Sequence, residues 1–155
     1  MLPMQITIED ASPKHLDKLY EIESRCFEKE AFTKQQIASL LASYNSVGLI
    51  AKLNGEIVGF VIGMLHRENG KMVGHVLTVD VLPEHRRKGV GLRLLKEIED
   101  IFRGKGAEVS VLEVREDNIA ALRLYQKLGY KRTAQLKYYY GDSHGILLRK
   151  NLVQL

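Results

Sequence analysis

The stretch Val76-Leu-Thr-Val-Asp-Val-Leu-Pro83, with Glu84-His-Arg-Arg-Lys-Gly-Val-Gly91 directly after it, decides how the rest of the chain reads. The first eight residues are rich in Val and stop at Pro83, which predicts a buried strand, because β-branched side chains suit a pleated surface and proline cannot continue a ladder. A helix is expected next. Leu92, Leu94, Leu95, Ile98, Ile101 and Phe102 recur at helical spacing among charged residues, and Gly104 and Gly106 supply the stop. The turn between them, Arg86-Arg-Lys-Gly-Val-Gly91, combines three cations with two glycines that let a ligand approach the backbone closely. Amides at the start of a helix have no intrahelical acceptor and sit at the positive end of its dipole, so this turn suits phosphate. It lacks the spacing of a nucleotide P-loop and of a dinucleotide fold. A solvated basic patch or a nucleic-acid contact is the competing reading of the same cations.

Working outward, 155 residues with 45% hydrophobic and 27% charged side chains describe one globular domain with one core. No apolar window is long enough for a membrane span, and the start shows no basic region ahead of an apolar one. With a single cysteine, Cys26, no internal disulfide can form, which fits a reducing, cytoplasmic setting and makes Cys26 core filler. The net charge of +4 is too small to argue for bulk nucleic-acid binding, yet it suits an anionic cofactor.

Alternation predicts a first strand over Met4 to Glu9, and Ser12-Pro13 opens a helix running through Cys26. Thr33-x-x-Gln36 is a capping box for a second helix ending near Tyr44. Val47 to Leu53, Ile57 to His66 and the Val-rich stretch form an antiparallel meander, turned at Asn54-Gly55 and Asn69-Gly70. Val109 to Val114 is a strand, Asn118 caps a helix that Gly129 ends, and two strands over Lys131 to Tyr140 and Ile146 to Leu152 complete the order βααβββαβαββ. This order is α+β, with a mixed, mostly antiparallel seven-stranded sheet flanked by about four helices.

The Arg-x-x-Gly-x-Gly turn after a Val-rich strand resembles the pyrophosphate loop of the GNAT N-acetyltransferases, and the element order matches that fold nearly end to end. Leu112-Glu-Val-Arg-Glu-Asp-Asn118 and Ala121-Leu-Arg-Leu-Tyr125-Gln-Lys-Leu-Gly-Tyr130 resemble the protein N-terminal acetyltransferases, including the RimI-like and archaeal members. The resemblance implies acetyl-CoA as the cofactor. Its contacts would come from Leu77, Val79, Asp80 and Val81 of the strand, Arg86, Arg87, Lys88, Gly89, Val90 and Gly91 of the turn, and Asn118 and Tyr125. No metal is called for.

Acetyl transfer needs a neutral amine, donors for the oxyanion and a proton for the departing thiolate. The resemblance makes Tyr125 the acid, although Leu122, Tyr125 and Leu128 also form a packing stripe. Glu113 falls by period two on the face of Val109 and Val111, an odd place for a carboxylate without a role or a route to water. In the RimI-like enzymes the matching Glu is the base, working through water. His75 is expected to share one strand face with Leu77, Val79 and Val81; it is either an auxiliary base, as in archaeal relatives, or a satisfied polar group. Glu28 and Glu30 lie in the loop that lines the acceptor groove in relatives, and Tyr139 and Tyr140 resemble that family's substrate-gripping tyrosines. Asp142-Ser-His-Gly145 departs from the acidic segment that usually follows them.

The expected function is therefore acetyl transfer from acetyl-CoA to a protein or peptide N-terminus by a direct reaction in a ternary complex. A small free amine or a lysine is the alternative acceptor, and a non-catalytic CoA- or nucleic-acid-binding module is the alternative class. No membrane or nucleic-acid partner is expected, and the chain would act as a monomer or weak homo-oligomer.

Overall fold

Two Asn-Gly pairs turn the chain through left-handed backbone, with φ of 53° and 88° at Asn54 and Gly55 and of 52° and 79° at Asn69 and Gly70. Both turns match the twist of the strands they join, which is why Asn-Gly is favoured there. In a computed structural model, which describes residues 5–153, those strands are β2 (Ser46–Leu53), β3 (Glu56–Glu68) and β4 (Lys71–Val81). They form the expected meander, with β1 (Ile6–Asp10) antiparallel to β2 on the outer side. The predicted first strand began at Met4, which lies outside the described residues.

Helix α1 (Leu16–Cys26) follows a short 3-10 turn over Pro13–His15, so the proline precedes the α-helix by three residues instead of opening it. Helix α2 (Lys34–Ala42) has the predicted capping box, with Thr33 Oγ1 accepting from the Gln36 amide and the Gln36 side chain accepting from the Thr33 amide. Both pack on one face of the sheet, where Leu19, Ile22 and Ile37 bury themselves against Ile50, Phe60 and Ile62. Helix α3 (Val90–Gly104) crosses the opposite face and carries the chain to β5 (Ala107–Arg115), which is parallel to β4. Of the stripe read from the sequence, Leu94, Leu95, Ile98 and Phe102 are buried, joined by Val90, while Leu92 and Ile101 are partly buried against them, and each fully buried side chain contributes about 1.5–3 kcal/mol by leaving water. Helix α4 (Ile119–Lys127) starts at Asn118, whose Oδ1 accepts from the Ala121 amide at 3.2 Å. Strands β6 (Lys131–Leu136) and β7 (Gly145–Asn151) complete a seven-stranded sheet of order β1-β2-β3-β4-β5-β7-β6. Among the described residues only the β4–β5 pair is parallel. Among them, too, no helix is long and apolar enough to cross a membrane.

Two expectations need correcting. The strand predicted to reach Tyr140 ends at Leu136, because Tyr138 takes a φ of 53° and residues 137–140 turn. The second concerns β4. Its register against β3 slips by one between Ile62, opposite Thr78, and Gly63, opposite Val76, leaving Leu77 as an extra residue. A slip of one exchanges the faces. His75 and Leu77 therefore look toward the α1 side, whereas Val79 and Val81 pack with the α3 core, so the four do not share a face.

Where α3 crosses β4 there is no spare volume: a Cβ added at Gly74 would lie 2.2 Å from Phe102 Cδ2. Gly74→Ala must displace the Phe102 ring, and the expected cost is about 1–3 kcal/mol, read as a lower denaturant midpoint with an unchanged slope.

Candidate active site

The bulge at Leu77 coincides with a second break. β4 and β5 pair only from Met72–Ala107 to His75–Val111, although β4 continues to Val81 and β5 to Arg115. Beyond His75 the two strands separate, and the edge of β4 that faces β5 loses its partner. In an antiparallel pair the amide and carbonyl of one residue point the same way, and residues alternate. The Leu82 amide bonds Val58 in β3, so by alternation Val79 and Val81 turn their backbone groups into the gap. The Val81 carbonyl is met there by Arg86 Nε at 3.1 Å and by the Cys26 thiol at 3.4 Å, while neither backbone group of Val79 has a partner among the described residues. Burial pushes the Cys26 thiol up to about 11, so it stays a neutral donor and has no nucleophilic role at neutral pH.

His75 and Glu113 stand at the point where the strands part. Their side chains meet, His75 Nε2 to Glu113 Oε2 at 2.7 Å, and both remain partly open to solvent. The two candidates chosen separately from the sequence are one unit. Tyr125, 7% exposed, lies in the core beneath α4. Burial first, then the carboxyl of Asp80 and the hydroxyl of Tyr140, push its proton affinity well above that of free tyrosine, so the phenol remains protonated throughout the neutral range. The packing stripe is real: Tyr125 and Leu128 are buried in the core and Leu122 packs against it.

Two loops flank this centre, and one residue joins them. Arg115, at the end of β5, forms an ion pair with Glu30 of the α1–α2 loop. It also bonds Asp142 of the β6–β7 loop at 3.3 Å and Asp117 at 3.1 Å, and lies 5.6 Å from the centre of the Tyr140 ring. The Arg115 guanidinium holds the Asp142 carboxyl below the usual carboxylate range. Lys29 adds a 3.6 Å contact to Asp142. Glu30 is thereby tied to the end of β5, whereas Glu28 is exposed. Tyr139 and Tyr140 pack edge to face at 4.9 Å, with Tyr139 against Gly145. The sequence reading missed Arg115 and Asp142; Arg115 follows Glu113 by two, which alone puts it on the same strand face.

The acetyltransferase (GNAT) family pattern matches residues 16–130, a span that holds the gap, the turn and the dyad. The chain belongs to the GNAT acetyltransferase family. It is 32% identical over 142 residues to an uncharacterised N-acetyltransferase of Methanocaldococcus jannaschii, covering 91% of this chain and 88% of that one. An N-alpha-acetyltransferase of Sulfurisphaera tokodaii is 33% identical, over 70% of each chain. The crystal structure of Ard1 from Thermoplasma volcanium superposes with a TM-score of 0.86 at 28% identity, covering 96% of this chain and 99% of that one.

For a GNAT enzyme the turn after β4 is the place to test fit to CoA. Gly89 takes a φ of 85° as the residue before α3, a conformation that few other residues adopt. Gly91 is different: an added Cβ would meet only Leu124 and Val81 at ordinary contact distances, 3.6 and 3.7 Å. Neither backbone strain nor packing requires glycine at Gly91, so the bare backbone fits a ligand lying against it. Val90 is buried and offers its amide alone. Arg86 is turned back onto Val81 and Cys26, at 3.1 and 3.7 Å, and so braces the end of β4. Arg87, at a φ of 62°, and Lys88 are the remaining cations of the turn.

Gly91→Val is expected to leave the melting temperature at or slightly above wild type, since valine is the better helix former, and to weaken acetyl-CoA binding at least tenfold by calorimetry. For the dyad, His75→Gln and Glu113→Gln are each expected to lower kcat, with the double variant no worse than the slower single one. A double-mutant cycle in initial rates checks this: multiplied effects would show that the two residues act separately.

Proposed function

We propose that this chain transfers an acetyl group from acetyl-CoA to the N-terminal α-amine of a protein or peptide, by direct attack in a ternary complex. The observation that carries this reading is the meeting of His75 and Glu113 at the mouth of the gap, between a bare phosphate-binding turn and two loops set to hold a peptide. The names of the archaeal relatives add support.

Acetyl-CoA supplies a thioester whose C–S bond breaks as the new C–N bond forms. The turn amides from Arg87 to Gly91 receive its phosphates, and Leu77, Val79 and Val81 present the β4 edge, with Val79 offering its amide and carbonyl; Asp80, read with them from the sequence, turns its backbone to β3 and its side chain to Thr78. Asn118 caps α4 and so fixes Tyr125 beside the sulfur. The acceptor lies between Glu30 and the pair Tyr139 and Tyr140, and its amine reaches the dyad. Glu113, through an intervening water and with His75 orienting it, takes the amine proton. Tyr125 donates its proton to the thiolate.

This base suits the α-amine on proton arithmetic. A chain α-amine has a pKa of about 7.7–8.0 and a lysine about 10.4, so the neutral fraction near pH 7 favours the α-amine by over two orders of magnitude. Tyr139 and Tyr140 hold the first peptide bond, and small first residues such as Ser, Ala or Thr fit best, with Met also accommodated. We place the enzyme in the cytoplasm, as a monomer or weak homo-oligomer, without a nucleic-acid partner. The single cysteine supports a reducing compartment.

The test is a peptide with a free N-terminus and one internal lysine. Mass spectrometry is expected to place the acetyl group on residue 1, and Tyr125→Phe to lower kcat at least tenfold with little change in KM for acetyl-CoA. Acetyl on the lysine with a free α-amine would overturn the acceptor assignment, and wild-type turnover in Tyr125→Phe would leave that ring as packing only.

A further inference from the structure

Beneath the bulge, three polar side chains are buried together. Glu23 on α1 and Asp80 on β4 are each 1% exposed, with Thr78 between them. The Thr78 hydroxyl lies 3.1 Å from Glu23 Oε1 and 2.5 Å from Asp80 Oδ1. Glu23 Oε2 accepts the Phe32 amide at 3.0 Å, and Asp80 Oδ2 has no partner among the described residues. Counting hydrogens decides the charge. One hydroxyl carries one proton and cannot donate to two carboxylates, and a carboxylate left facing an oxygen lone pair in a dry site is costly. One acid must therefore hold a proton. Glu23 Oε2 already accepts a backbone amide, whereas Asp80 Oδ2 has no partner among the described residues, and an unpartnered buried oxygen costs far less on a neutral acid than on an anion, so the proton belongs to Asp80.

We propose that Asp80 is a positioning residue: as a neutral acid it donates to Thr78, Thr78 donates to the Glu23 carboxylate, and Glu23 holds the Phe32 amide. The strand that presents the thioester and the loop that presents Glu30 to the acceptor are then tied by one hydrogen-bond chain. The bulge makes this possible, because the slip at Leu77 is what turns Thr78 and Asp80 toward α1. This inference rests on the acceptor lying against the loop of residues 27–33.

The charged and titratable groups around Asp80 agree with a neutral acid. Burial first and then Glu23 hold its carboxyl well above the usual range, while Thr78 and Arg86 oppose them. Cys26 on α1 and Tyr125 on α4, both protonated, complete the surroundings. A carboxyl whose folded value is raised contributes stability that is full below the ordinary carboxylate range and is lost as pH rises through the folded value. Ionisation of Asp80 would also set two anions against one hydroxyl and loosen the tie to Phe32.

The experiment is steady-state kinetics with a peptide acceptor, from pH 6 to the alkaline limit of folding. Glu23→Leu and Asp80→Leu are expected to raise the peptide KM at least tenfold while KM for acetyl-CoA stays within twofold. Asp80→Asn, whose amide N–H replaces the acid O–H toward Thr78, is expected to restore a wild-type peptide KM at pH 7. It should also abolish the alkaline rise in KM and melt progressively higher than wild type as pH increases. Should the leucine variants fail to fold, infrared spectroscopy of wild type is expected to show a protonated-carboxyl band at pH 7 that Asp80→Asn lacks. A peptide KM in Asp80→Asn as poor as in Asp80→Leu, or the absence of that band, would overturn the proposal. Glu30→Ala separates the two layers. If it raises the peptide KM and a folded Glu23→Leu does not, the chain is wrong and the acceptor site stands; if neither changes KM, both fall.

Discussion

A parallel strand pair that stops pairing half-way is the constraint on which the rest of this molecule depends. β4 and β5 are joined from Met72 to His75 and then separate, so a stretch of strand backbone is left without a ladder in the middle of a sheet. Unpaired backbone groups away from water are costly, and a sheet interior that leaves them is built for something to pair with them. A ligand with its own amides would satisfy Val79 as a strand does. The bulge at Leu77 and the departure of β5 act together: one turns Thr78 and Asp80 toward α1, the other opens the edge. The His75–Glu113 pair and the outward-facing backbone of Val79 both take their positions from that one opening.

The α3 side supplies the rigidity this opening requires. Phe102, Ile98, Leu95 and Leu94 fill the space over β3, β4 and β5, and glycines at Gly63 and Gly74 let the Phe102 ring lie against the strands. Because Gly89 is the residue directly before α3, the glycine turn is attached to a deeply packed helix. The acceptor side is tied by polar contacts instead. Arg115 gathers Glu30, Asp117 and Asp142 at the surface, where each such pair is worth little alone. Apolar packing fixes the turn before α3, whereas the two loops joined through Arg115 are held by weak polar ties.

Much of this was legible in the residues. The Asn-Gly turns, the Thr33 box, the Asn118 cap and the α3 stripe are local signals, and each sits where its spacing placed it. Glu113 stood out because period two put a carboxylate on an apolar face, and its partner proved to be His75. Local signals also failed at definite points. Tyr138 to Tyr140 look like strand residues by type, yet Tyr138 takes a left-handed turn, with its ring beside His144 and its amide donating to the His144 Nδ1. Asp80, read as part of the cofactor strand, has a side chain facing the other way.

Sequence alone determined the element order, the capped helix starts, the hairpin turns and the bare glycine turn, because each depends on residues within a few positions of one another. Tertiary structure decided the faces of β4, the length of its pairing with β5 and the joining of Glu23 to Thr78 or Arg115 to Glu30. Those contacts span 55 and 85 positions along the chain. A bulge leaves no mark in a run of Val, Leu and Thr, since every residue there suits either face; only the competition between β3, β5 and the helices on both sides settles which way each one points.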